Sequence, residues 1–207
     1  ELQRALEWYG HYDAAIDGSF GAGTRKSMLA WQEANGFDGT GVLTTQQRAT
    51  LLANFQADKA EFGFETITEA EAGIEITLPM GLIGFDRYEP PFVHYAEKGA
   101  SGVQVMLISE PGDTFNLLGL FDILQTLEVV PPEGARALGD DSFTIDARSE
   151  AVASHAYAEV KNGMVKGYLV VWKPADDARM ARILPVLEKS FRGFGDKALD
   201  PGLVPLD

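Results

Sequence analysis

Three histidines, His11, His94 and His155, are the side chains best suited to proton transfer or metal ligation near neutral pH. No H-E-x-x-H pattern surrounds them, and His11-Tyr12-Asp13 has no third ligand close by in sequence, so no metal site is expected. Gly139-Asp140-Asp141-Ser142-Phe143 has the outline of a serine nucleophile loop. The glycines that would build an oxyanion hole after the serine are missing, and Phe143 reads as the start of a strand. Ser154 and His155 are neighbours on an expected strand and so face opposite sides of a sheet, which rules out a dyad. No G-x-S-x-G elbow occurs. Asp140-Asp141 and Asp176-Asp177 read as turn or helix-cap residues, not as an acid/base pair. Gly18, Gly21 and Gly23 have the wrong spacing for a dinucleotide fingerprint, and no strand precedes them. With no cysteine there is no thiolate nucleophile, disulfide or cysteine-ligated metal. The expectation is a chain that is not an enzyme, with no catalytic residues, metal or cofactor.

What remains is the chemistry of recognition. Sugars and short peptides are held by hydrogen bonds together with an aromatic surface. Tyr9, Tyr12, Asp13 and Arg25 lie around one turn and are expected to be exposed there, as candidate ligand contacts.

Helices must position that turn. Leu2, Ala5, Leu6 and Tyr9 follow the spacing of an amphipathic helix that Gly10 ends. Asp17-Gly18 marks a tight turn, and a second helix is expected from Thr24 to Asn35 with Gly36 after it. Thr44 and Gln47 have capping-box spacing at the start of a third helix that carries Leu51, Leu52 and Phe55.

The segment Gly10-His11-Tyr12-Asp13-Ala14-Ala15-Ile16-Asp17-Gly18-Ser19-Phe20-Gly21, then Thr24, Trp31-Gln32, Gly36-Phe37 and Thr40-Gly41-Val42-Leu43, closely resembles the family of three-helix peptidoglycan-binding modules. Its hallmarks are a D-G-x-F-G-x-x-T turn, an aromatic-Gln pair and a glycine-bounded hydrophobic stretch, with Trp31 here in place of the usual Phe. The resemblance implies binding of peptidoglycan and a scaffold role for Asp17, Gly18, Phe20, Gly21, Thr24, Trp31 and Gln32. Asp17 and Gly18 would shape the turn, Phe20 plug the small core and Thr24 cap the second helix.

From Gly73 the pattern changes. Ile74, Ile76 and Leu78 alternate with polar residues up to Pro79, and Val103–Ile108 suggests another strand. Asp113 can cap a helix apolar over more than half its circumference, from Phe115 to Leu127, which is expected to be packed between layers. Asn162-Gly163 supplies a two-residue hairpin turn between Val152–Val160 and Val165–Trp172. A final helix over about 176–191 is kinked or split by Pro185. The Gly73–Pro79 run, the apolar helix, the hairpin and Ser190-Phe191 are similar to the Mog1/PsbP-like sandwich. A wall module followed by such a domain is similar to the non-catalytic N-terminal part of bacterial envelope trypsin-like proteases.

The expected fold class is α+β. A three-helix domain spans 1–58, a linker 59–72, an α/β sandwich with an antiparallel sheet 73–192, and a tail or linker 193–207. The formal net charge of −14 repels nucleic acid, and only seven of the 31 acids fall in residues 1–60. No apolar run is long enough to span a membrane. The chain starts at Glu1 without a signal peptide, as a trimmed or processed chain would. The expected function is non-catalytic binding of peptidoglycan in the periplasm or cell envelope, with the second domain binding or regulating a protein. Two alternatives are the targeting half of a longer trypsin-like protease, with a covalently linked protease domain beyond this chain, and a helical protein-interaction module that does not touch glycan.

Overall fold

The computed structural model describes residues 1–200 and divides the chain into two compact units, Glu1–Phe62 and a second that begins at Gly63. The first unit contains α1 (Leu2–Trp8), α2 (Ala22–Ala34) and α3 (Thr45–Phe62). Leu2, Ala5 and Leu6 on α1 meet Met28 and Trp31 on α2 and Leu51 and Phe55 on α3. Gly10 and Gly36 follow α1 and α2 at φ 75° and 74°, the left-handed conformation that ends a helix without steric cost to glycine. Thr44 and Gln47 form the capping box reciprocally, at 3.2 and 2.9 Å.

Three boundaries differ from the sequence reading. α2 begins at Ala22, with Gly21 as its extended N-cap, so Thr24 lies inside the first turn and caps nothing. Its hydroxyl donates instead to the Ser19 carbonyl at 2.9 Å. α3 runs on to Phe62, whose ring stacks on Trp8 at 5.9 Å, while the Trp8 indole and the Tyr9 hydroxyl both donate to Asp58 at 2.9 Å. These contacts reward further helix turns. The acidic stretch 59–72 is therefore not a linker: it comprises the end of α3, strand β1 (Phe64–Glu69) and the turn into β2 (Ile74–Pro79).

The second unit contains two antiparallel sheets. β1, β2 and β10 (Arg192–Gly193) form the smaller one, in the order β1-β2-β10. The larger sheet contains β3 (Ile83–Glu89), β4 (Phe92–Glu97), β5 (Gln104–Pro111), β6 (Arg136–Leu138), β7 (Ser142–Arg148), β8 (Ala153–Lys161) and β9 (Met164–Trp172). Its order is β3-β4-β5-β9-β8-β7-β6. Of its end strands, β6 has only three residues, and β3 has an irregular register between Phe85 and Arg87. β9 is buried along its whole length, which explains its largely apolar run, broken only by Lys166, in place of alternation. Asn162 and Gly163 turn β8 into β9 at φ 55° and 74°.

α4 (Thr114–Leu124) covers one face of the larger sheet with Leu117, Leu120 and Leu124, over Phe143, Ile145, Ala156 and Leu169. The Asp113 carboxylate accepts from Phe115 N and Asn116 N at 2.8 and 3.3 Å and starts the helix. α4 is not sandwiched between layers, as its composition had implied: Phe115 is 81 % exposed, and Leu118 and Ile123 are also open to solvent. On the opposite sheet face lies α5 (Asp177–Ser190), with Pro185 inside it. The residue after it, Phe191, packs on Tyr168.

The expected tail from 193 is partly structure. β10 pairs with β2, Leu199 is buried, and the Lys166 ammonium donates to the carbonyls of Phe194 and Lys197 at 2.8 and 3.0 Å. The same ammonium also donates to the carbonyls of Ala72 and Gly73 at 2.9 Å, so one buried lysine ties the segment 194–197 to the turn before β2. Residues 201–207 of that expected tail lie outside the described residues.

Candidate functional site

The connection between α1 and α2 is organised by Gln3, a residue the sequence reading passed over. Its amide donates to Tyr12 Oη at 2.9 Å, Asp17 Oδ1 at 2.9 Å and the Ser19 carbonyl at 3.1 Å. Its oxygen accepts from Gly18 N at 2.8 Å. An amide on the apolar face of α1, between Leu2 and Leu6, was the available signal. A buried amide there must find partners, and the long connection supplies them. Asp17 also accepts from Ser19 N at 2.8 Å, closing a local turn at Gly18, which has φ 76°. The Gln3 hydrogen bond, then that of the Ser19 backbone, hold the Asp17 carboxyl below the usual carboxylate range.

Gln32 does the same for the connection between α2 and α3. Its oxygen accepts from Thr40 N and Gly41 N at 3.0 and 2.9 Å, and its amide donates to the Val42 carbonyl at 3.0 Å and Gln47 Oε1 at 3.1 Å. Gly41 has φ 70°, and a β-carbon on it would stand 3.1 Å from the Arg25 carbonyl. One connection is thus tied to α2 at Thr24 and the other lies against it at Arg25.

The candidate ligand contacts separate on this scaffold. Asp13 and Arg25 are exposed, as expected. Tyr12 is not: its ring belongs to the small core, and its hydroxyl donates to the Ala15 carbonyl at 2.7 Å. Tyr9 is half-buried and committed to Asp58. Phe20, expected to plug the core, is 56 % exposed, with Ile16 of the same connection also exposed. Trp31 and Tyr12 already fill the space that Phe20 was assigned, so the ring stands in solvent. Phe20, Arg25 and Asp13 are thus the exposed aromatic, cationic and acidic side chains of this part of the helical unit, types able to stack on a sugar or an acyl group and hydrogen-bond its polar substituents.

Among the described residues no group of three His, Asp or Glu side chains is arranged to hold a metal ion. Burial lowers the pKa of His11 and His94, favouring their neutral forms. Ser142 opens β7 and is followed by the buried Phe143, a strand position and not a nucleophile elbow.

Residues 1–51 match the family described as "Putative peptidoglycan binding domain". The rest of the chain is similar to the solution structure of cyanobacterial PsbP (CyanoP) from Synechocystis sp. PCC 6803, with 11 % identity and a TM-score of 0.43 over 63 % of this chain and 92 % of that one. A crystal structure from Bacteroides thetaiotaomicron VPI-5482 has 7 % identity and a TM-score of 0.42, covering 64 % of this chain and 49 % of that one. No curated protein matches the chain.

Proposed function

We propose that the chain is a non-catalytic protein of the bacterial cell envelope, attached to peptidoglycan by its helical unit and using its α+β unit to bind or regulate a protein partner. The single observation that carries this reading is the family match over residues 1–51. The site assigned to the glycan or its peptide is the exposed face of the α1–α2 connection with Asp13, Arg25 and Phe20. Phe20 supplies the apolar surface, Arg25 donates to acyl or carboxylate oxygens, and Asp13 accepts from amides or hydroxyls. Tyr9, whose hydroxyl is given to Asp58 of α3, is not assigned to the ligand.

The full chain is expected to sediment with purified sacculi. Phe20→Ser combined with Arg25→Ala should lower the bound affinity roughly ten-fold, since burying an aromatic ring is worth about 1.5–3 kcal/mol. Both side chains are exposed, so circular dichroism of the variant should match that of the parent. Equal amounts of parent protein in the supernatant with and without sacculi would end this reading.

A further inference from the structure

The larger sheet covers one side of α4 and leaves an apolar stripe on the other. Leu117, Leu120 and Leu124 face the sheet, whereas Phe115, Leu118 and Ile123 are 81, 42 and 57 % exposed. Phe115, Gly119 and Ile123 follow one another at four-residue spacing and so line up along the outer side, with Leu118 and Asp122 as a second such pair beside them. A β-carbon on Gly119 would have no atom within 4 Å, so nothing inside the chain requires glycine there. Glycine within a helix costs stability relative to alanine. Here it leaves a hollow between Phe115 and Ile123 that a side chain of a facing helix can enter.

The charge on this helix has one sign. Asp113 and Asp122 are exposed on it, and Glu128 is exposed just beyond its end. No lysine, arginine or histidine occurs between residues 99 and 135. The next cation, Arg136, is given to the Pro131 and Asp146 carbonyls. An anionic lipid surface would repel these carboxylates, and a second copy of the chain would bring two sets of them together. A segment that carries cations beside its apolar side chains matches the stripe and the charge at once.

We infer that the outer side of α4 docks an amphipathic helix of a partner protein whose apolar side chains are flanked by lysine or arginine. One apolar side chain enters the hollow at Gly119, and a cation one turn away pairs with Asp122. Cations toward the two ends of the partner helix meet Asp113 and Glu128. This rests on the assignment of a protein partner to the α+β unit and adds the surface and the chemistry of that partner.

The test adds to the full, isotope-labelled chain a synthetic peptide of leucine and lysine patterned as an amphipathic helix, and separately the same peptide with glutamate in place of lysine. The lysine peptide is expected to shift the amide NMR signals of residues 114–124 saturably, and the glutamate peptide to leave them in place. Phe115→Ser combined with Ile123→Ser should weaken binding roughly ten-fold or more, because two apolar side chains are no longer buried on docking. Asp122→Lys should weaken it about five-fold, whereas Glu150→Gln, an exposed carboxylate between β7 and β8, should bind as the parent does. All these side chains are exposed, so circular dichroism of the variants should match that of the parent. Equal binding of both peptides, unchanged affinity in the double variant, or shifts confined to another face would overturn the proposal. The last outcome alone would leave a protein-binding role for the α+β unit standing. Loss of the 114–124 signals on adding phosphatidylcholine vesicles would assign the stripe to a membrane and overturn it too. So would a dimer in analytical ultracentrifugation that Phe115→Ser abolishes, since the occupant would then be a second copy.

Discussion

Gln32→Leu is expected to remove most of the stability of the helical unit. Leucine fills nearly the same space but offers no polar atom. Thr40 N and Gly41 N would lose their acceptor, while the Val42 carbonyl would keep only the Thr40 hydroxyl as donor. An unmet buried backbone group costs about 1–3 kcal/mol, so the two N–H groups together should cost roughly 3 kcal/mol. A unit of this length has a total stability on the order of 3–9 kcal/mol. Hydrogen exchange in the intact chain reads the outcome unit by unit. Amides of residues 24–52 should exchange at least a hundred-fold faster, while β8 and β9 keep their protection. Unchanged exchange in 24–52 would mean that water replaces the Gln32 amide without loss.

Lys166→Met should have a comparable effect on the second unit. Burial lowers the pKa of Lys166, yet its ammonium is surrounded by the carbonyls of Ala72, Gly73, Phe194 and Lys197. Methionine supplies the length and none of the donors. The carbonyls of Phe194 and Lys197 then lose the ammonium donor, while those of Ala72 and Gly73 keep the Ser109 hydroxyl and Phe194 N–H, and the pairing of β10 with β2 loses its anchor. The expected loss is roughly 2 kcal/mol, which lowers the melting temperature of a unit this size by roughly 4–8 °C. Limited proteolysis should cut first between residues 193 and 199. A melting temperature within about 2 °C of the parent would show that the carbonyl cage contributes little.

The helical unit was legible because its signals are local. Gly10, Gly36 and the Thr44/Gln47 box each act within a few residues of their own position, and each performs the role that its type and spacing suggest. The Asn162-Gly163 hairpin and the Asp113 cap were readable for the same reason. What escaped depended on partners distant in sequence. Nothing near Phe20 reveals that Trp31 and Tyr12 already fill the core. The extension of α3 rests on Asp58 and Phe62 meeting Trp8 and Tyr9 some fifty residues earlier. α4 was placed too deep because apolar periodicity reports how much of a helix could be buried, not how many layers the fold provides. The Asp146–His155 pair, 2.7 Å apart, was invisible for a related reason. Ser154 drew attention to the wrong neighbour, whereas register alone brings Asp146 beside His155.

The two end strands of the larger sheet bear on how the protein behaves when crowded. An unpaired strand edge is a template on which another chain can add, and long flat edges seed aggregation. β6 offers only three residues, too few to hold a foreign strand in register. β3 is longer, but its register breaks between Phe85 and Arg87, and Arg87 is paired with Asp86 and Glu89 along the same strand. A docking strand would meet a kink and would have to strip water from three charges at once. Both ends of the sheet are thereby closed to further growth, and concentrated protein should stay free of cross-strand association even with Phe115 and Leu118 of α4 exposed to solvent.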